Sequence, residues 1–203
     1  MIINIENKTI EFKTIQIEIK DRNQENIFQG NNRTLYYKLN KAISKPTDRL
    51  HIIAKQQMEK YKLNLEMRFG DFLSKLKKEK NNDYKLYLNK YGDGKFCNYK
   101  ITNYHYDKGI YCYIIEDRIV YIGRSKKTFS ERFKDYGKIT PYNCLIDGQA
   151  TNCNINSKVN ELKSITVGFY LMNYSSDKEI EDLEKKIINN LKNGQNLWNI
   201  QQS

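Results

Sequence analysis

The stretch Gly109-Ile110-Tyr111-Cys112-Tyr113-Ile114-Ile115-Glu116-Asp117-Arg118-Ile119-Val120-Tyr121-Ile122-Gly123-Arg124 decides the fold of the C-terminal half. Two runs rich in Ile, Val and Tyr, Gly109 to Ile115 and Ile119 to Arg124, suit strands. Glu116, Asp117 and Arg118 between them read as a hairpin turn. Pairing brings Tyr111 and Tyr121 together at one end of a small sheet. Two phenols, glycines that open space beside them and Arg124 directly after make a candidate polar site of phosphate size. An ordinary hairpin carries the same residues, so the neighbouring segments have to decide.

Downstream, Thr128 followed by Glu131 fits a capping box that opens a helix, and Gly137 fits its exit. Phe129, Phe133 and Tyr136 form the apolar edge of that helix, and Arg132 shares it. Lys138 to Asn154 reads as loop, Ile155 to Lys163 as a short helix and Ser164 to Met172 as a strand. Asp177 to Leu191 reads as a helix ending at Asn193-Gly194, with an apolar stripe of Ile180, Leu183, Ile187, Ile188 and Leu191. Glu184 falls inside that stripe. A buried carboxylate needs a partner, a proton or a cation. A divalent ion satisfies it, and so does an internal pair with an arginine such as Arg132. Arg132 is equally suited to present its fork of donors to a phosphate.

Upstream, residues 1 to about 104 read as one α+β region. Ile2 to Ile5 and Ile10 to Ile19 alternate as strands do. Asn23 to Arg33 reads as loop and Leu35 to Ser44 as a short helix, broken at Lys45-Pro46. Thr47 to Met67 reads as one long helix, with Ile52, Ile53, Met58, Leu63 and Met67 as its apolar residues. Gly70-Asp71 interrupts it before a basic helical stretch, Phe72 to Lys80. Lys95 to Tyr104 reads as a strand feeding the hairpin.

The formal net charge of +11 points to a polyanionic partner. No apolar run of about 18 residues exists to span a membrane, and Met1 to Glu6 lacks the order of a secretion signal. Cys97, Cys112, Cys144 and Cys153 form no Cys-x-x-Cys pair, and His51 and His105 are the only histidines, which argues against structural zinc. Reduced thiols in a cytoplasmic protein are the expectation, with a Cys144–Cys153 disulfide as the alternative.

Both triplets, Gly109-Ile110-Tyr111 and Tyr121-Ile122-Gly123, with the residues that follow in order, resemble the GIY-YIG nuclease domain over residues 109 to about 200. Tyr111 and Tyr121 match its motif tyrosines and Arg132 its helical arginine. Tyr136 matches a position filled by histidine or tyrosine, Glu184 the metal-binding glutamate and Asn199 the terminal asparagine. The resemblance implies an α+β fold: a small mixed or antiparallel three-stranded sheet flanked by helices over 105–203, after an N-terminal α+β region over 1–104. It also implies hydrolysis of a phosphodiester with one Mg²⁺ or Mn²⁺ held by Glu184, a hard cation suited to oxygen ligands. Arg132 neutralises charge on the phosphoryl oxygens, and Tyr111 takes a proton from water. A phenol titrates near pH ~10, so this base needs cationic help, for which Arg124 and Lys126 are candidates. Tyr121 and Tyr136 position water or phosphate, and Asn199 braces the site.

The expected activity is a DNA endonuclease of restriction or anti-phage type acting on double-stranded DNA. The N-terminal half is expected to supply contacts and dimerisation as a homodimer. The alternatives are an inactive nucleic-acid-binding protein of the same fold, or a nuclease acting on RNA or branched DNA. Gln149 and Asn152 lie in a segment, Gly148 to Cys153, similar to one in some small bacterial members. They are candidates for reading base edges, or else asparagine-type braces of a loop. Lys75, Lys77 and Lys78 are candidates for phosphate contacts, or else a solvated helix face.

Overall fold

The computed structural model describes residues 1–6, 8–192 and 197–199. In chain order the elements are β1 (Ile2–Ile5), β2 (Lys8–Glu11), β3 (Lys13–Gln16), β4 (Glu18–Gln24), α1 (Leu35–Ser44), α2 (His51–Lys60), α3 (Phe69–Lys78) and β5 (Phe96–Lys100). They continue with β6 (Gly109–Ile115), β7 (Arg118–Ser125), α4 (Phe129–Gly137), α5 (Pro141–Cys144), α6 (Ala150–Glu161), β8 (Thr166–Leu171) and α7 (Asp177–Lys192). The class is α+β, and no helix among the described residues is long and apolar enough to cross a membrane.

The chain divides into two compact units made of separate segments, and the expected boundary at residue 104 does not describe them. One unit combines residues 1–20, 98–138 and 161–203; the other combines 21–97 and 139–160. The chain passes from one unit to the other within β4 and again within β5.

The first unit is built on an antiparallel sheet in the order β3-β8-β6-β7. Three strands were expected; the fourth, β3, pairs with β8 and sets Ile15 opposite Val167. Its addition covers an edge that β8, with Val167 and Phe169 buried, would otherwise offer to other chains. The β6–β7 turn is Glu116-Asp117, whose φ values of 46° and 59° are the left-handed pair that two-residue hairpins of the I′ family require. A register shift follows Tyr113, so that Tyr113 faces Tyr121 while Ile114 faces Ile119, and Val120 bulges out. That bulge puts Tyr121 on the same face as Tyr111 and Tyr113. The opposite face carries Ile110, Cys112, Ile114, Ile119 and Ile122, which pack with Ile180, Leu183 and Ile187 of α7 and with Ile5, Ile10 and Phe12. The aromatic face is covered by α4 through Phe129, Phe133 and Tyr136.

The capping box expected at Thr128 and Glu131 is formed. Gly137 closes α4 for a different reason than a left-handed exit. The backbone carbonyl of Tyr99 lies 2.0 Å from where a β-carbon would stand, so the position demands close approach. The helix exit expected at Asn193-Gly194 lies outside the described residues.

The second unit packs α1, α2, α3 and α5 around Phe28, Leu35, Leu39, Phe69, Phe72, Leu76 and Tyr87. The long helix expected over Thr47 to Met67 is α2 alone, followed by a 3-10 turn at Lys62–Asn64. Asp48 accepts from the Leu50 amide at 2.9 Å, which holds this stretch in a turn and delays the helix to His51. The apolar face is correspondingly rotated: Ile52 and Leu63 are over nine-tenths exposed, while Ala54 and Gln57 are buried. Gln57 accepts a hydrogen bond from the buried Tyr87 hydroxyl at 3.0 Å, a polar residue where an apolar one was expected. Gly70 lies inside α3 and does not break it; the Gln29 carbonyl oxygen, 2.0 Å from its would-be β-carbon, is what requires glycine there. Most of the expected loop Lys138 to Asn154 is helical, as α5 and the start of α6. All four cysteines are buried free thiols.

Candidate functional site

Two positions explain why the triplets carry glycine. Gly109 has φ 139°, and a β-carbon there would meet the Tyr170 carbonyl at 2.3 Å. Gly123 faces Tyr111 across the hairpin, and a β-carbon on it would lie 2.3 Å from the Tyr111 hydroxyl. The ring of Tyr111 therefore lies over the bare backbone of β7, and its hydroxyl reaches α4.

There three phenols and one guanidinium meet. The Tyr111 hydroxyl donates to that of Tyr136 at 2.9 Å, and the Tyr121 hydroxyl bonds the same oxygen at 3.1 Å. Arg132 donates from Nε to Tyr111 at 3.1 Å and from Nη2 to Tyr136 at 2.5 Å, with its guanidinium 4.4 Å from the Tyr136 ring centre. Tyr111 and Tyr136 are fully buried and Tyr121 nearly so. Burial holds the Tyr121 and Tyr136 phenols well above their ordinary range, with Arg132 pulling both the other way. Below this layer Tyr113 and Tyr99 share a buried hydrogen bond of 2.9 Å.

Glu184 keeps its place in the α7 stripe, with a side chain only 13% exposed. Its carboxylate binds Arg124, which stands opposite Ile110 on the α7 face of the sheet. Arg132 is thus not its ion-pair partner. Burial raises the Glu184 pKa, and Arg124 and then Arg132 oppose the rise. Glu184 also acts on Tyr121, raising its pKa. Among the described residues Glu184 makes no hydrogen bond to the three phenols. It lies on the other face of the sheet, and its charge reaches Tyr121 and Arg132 beside the edge strand β7.

The guanidinium bonded to the Tyr111 hydroxyl is that of Arg132, while Arg124 and Lys126 bind acids of α7. Arg124 spans Glu184 and Glu181, the latter at 3.4 Å, and Lys126 binds Glu181 at 3.1 Å. Lys185 completes that network at 3.0 Å, and its lysines and Arg124 draw the Glu181 pKa down to about 2. Sequence reasoning missed Glu181; its place one turn before Glu184 was the available signal. It missed Tyr113 as well, although alternation along β6 already put it on the face of Tyr111. Asn199 braces the edge strand: its side chain accepts from Ile122 N at 3.1 Å and donates to Ile122 O at 2.8 Å. Beside it the Trp198 amide donates to the Val120 carbonyl at 2.6 Å, so the segment 197–199 is tied to β7 at two points.

The remaining candidates belong to the other unit. Lys75 and Lys78 are exposed at the end of α3. Lys77 binds Asp93 at 2.5 Å and Asn26 at 2.8 Å. Gln149 is exposed, whereas Asn152 is only 4% exposed within α6 and does not present its amide to a base. The bracing role suits the neighbouring asparagines: Asn156 bonds both backbone groups of Cys97, and Asn143 caps α5 at Thr140.

No group of three or more His, Cys, Asp and Glu side chains converges among the described residues. A cage of protein ligands is therefore not built there. The donor set is one largely buried carboxylate, with an arginine on Oε2. This suits a cation that keeps most of its waters and takes one or two carboxylates, as Mg²⁺ does. No family model, curated protein or solved structure matches the chain significantly.

Proposed function

We propose that this protein is a metal-dependent endonuclease of the GIY-YIG type, hydrolysing phosphodiester bonds in double-stranded DNA in a restriction or anti-phage role. The observation that carries the reading is the junction of Tyr111, Tyr121 and Tyr136 on one guanidinium, Arg132, with the charge of Glu184 felt by Tyr121 and by Arg132. Both triplets supply a tyrosine to that junction, and the glycine of the second makes room for the tyrosine of the first. A divalent ion on Glu184 would supply Lewis acidity at the phosphate.

The chain's own residues have separable tasks in this reading. Arg132 stays charged and faces the charge that develops on the phosphoryl oxygens. Its Nε–H donates to the Tyr111 oxygen and holds it in place; in this reading Tyr111 takes the proton of the attacking water once the proton it now shares with Tyr136 has left. Tyr136 accepts from Tyr111 and Arg132 and fixes both. Asn199 holds β7, and through it Tyr121, in register.

The test is incubation of a supercoiled plasmid with Mg²⁺, Mn²⁺ or EDTA. Nicking or linearisation that needs the metal is expected. One observation favours a second reading, a nucleic-acid-binding protein without cleavage: Arg124 neutralises Glu184 within the protein itself. Plasmid binding with no nicking in either metal would select it.

A further inference from the structure

We infer that Arg124 is a placeholder cation: its guanidinium occupies the Glu184 carboxylate until a divalent ion arrives, and Glu181 then retains the displaced side chain at the edge of the site. The inference rests on the metal-dependent reading of Glu184 and adds a way of keeping that residue charged and available.

The two arginines of the region are held differently. Arg132 is fixed by two phenols and by the Tyr136 ring. Among the described residues Arg124 is held by carboxylates alone, and its side chain is 32% exposed at the end of β7. Its fork spans two acids one turn apart on α7, with Nη1 on Glu184 and Nη2 at 3.4 Å from Glu181. A side chain already shared between two acceptors can leave one without losing the other. Glu184 needs a positive partner at all times, because an uncompensated buried carboxylate is costly. Glu181 is more exposed, is bound by Lys126 and Lys185, and stays ionised, so it is the acceptor that remains. This makes Arg124 a competitor for the metal and Glu181 a positioning residue.

Manganese titration of the full-length chain without nucleic acid tests this, read by the loss of the free Mn²⁺ resonance and by the metal-induced rise in melting temperature. Removing the competitor by Arg124→Gln is expected to tighten Mn²⁺ binding about tenfold. Arg124→Lys, which keeps the charge but not the fork, is expected to fall between that variant and the parent. Lys126→Gln removes a neighbouring charge that does not touch Glu184, and is expected to change affinity no more than about twofold. Glu181→Gln is expected to weaken binding in the parent and to matter less in Arg124→Gln, where no guanidinium needs a new acceptor. Binding that depends on Glu184 but is equal in Arg124→Gln and the parent overturns the placeholder and leaves the metal reading standing. An equal gain from Lys126→Gln also overturns it, since net charge then explains the effect. Absence of Mn²⁺ binding in the parent and in Arg124→Gln overturns both.

Discussion

At the scale of single residues the chemistry turns on where charge is held. Tyr111→Phe removes one buried hydroxyl that donates to Tyr136 and accepts from Arg132. Cleavage should fall by about a hundredfold or more in a plasmid-nicking time course, and denaturant unfolding should show a loss of about 1 kcal/mol. Glu184→Gln should behave differently. The Glu184 pKa is raised, so the folded protein binds this proton more tightly than the unfolded chain does. Whatever stability the group adds is present at acid pH and is lost as pH rises through its folded pKa. At neutral pH the folded state therefore carries an unfavourable charge, and Glu184→Gln should keep or raise the melting temperature while abolishing metal-dependent cleavage. A large drop in melting temperature, measured by circular dichroism at pH 7, would mark Glu184 as a purely structural ion-pair partner.

At the scale of elements, the hairpin and α4 position the site, and both are written into local sequence. Thr128→Ala removes a cap whose hydroxyl accepts from the Glu131 amide at 3.3 Å; the expected cost is about 1 kcal/mol in thermal unfolding. Gly123→Ala puts a methyl group into the Tyr111 ring. Activity should be lost with the phenol displaced, and the near-ultraviolet dichroism of the tyrosines should change while the far-ultraviolet spectrum persists. The capping box, the β6–β7 pair and the α7 stripe were legible because each is a short-range pattern: a spacing of three, an alternation of two, a stripe at three and four. The bulge at Val120 was not legible, although it decides which face Tyr121 occupies. A bulge is a property of two paired strands, and one strand's sequence does not report it. The extent of α2 and the start of α6 were missed for a similar reason. Gln57, Asn152 and Asn156 are polar yet buried, so their helices lack the apolar periodicity that reading relies on.

At the scale of the whole molecule, the sheet of the first unit depends on the N-terminal twenty residues. β3 pairs with β8, and Ile5, Ile10 and Phe12 fill the same core as α7. A fragment of residues 105–203 alone should therefore aggregate or melt without cooperativity, with an exposed β8 edge, whereas the full chain should unfold cooperatively; thermal scans of the two compare them directly. The net charge of +11 predicts DNA binding whose affinity falls steeply with salt, measured by fluorescence anisotropy at several ionic strengths. Local spacing was enough for the hairpin, its glycines and tyrosines, the capped helix bearing Arg132 and the stripe bearing Glu184, because those depend on neighbours a few positions away. That Arg124, and not Arg132, takes Glu184, that Arg132 bonds the phenols, and that strands from the start of the chain complete the sheet emerged from folding. Those outcomes rest on which face each strand turns and which distant charges meet, and such pairings are set by packing across the whole unit and not by spacing along the chain.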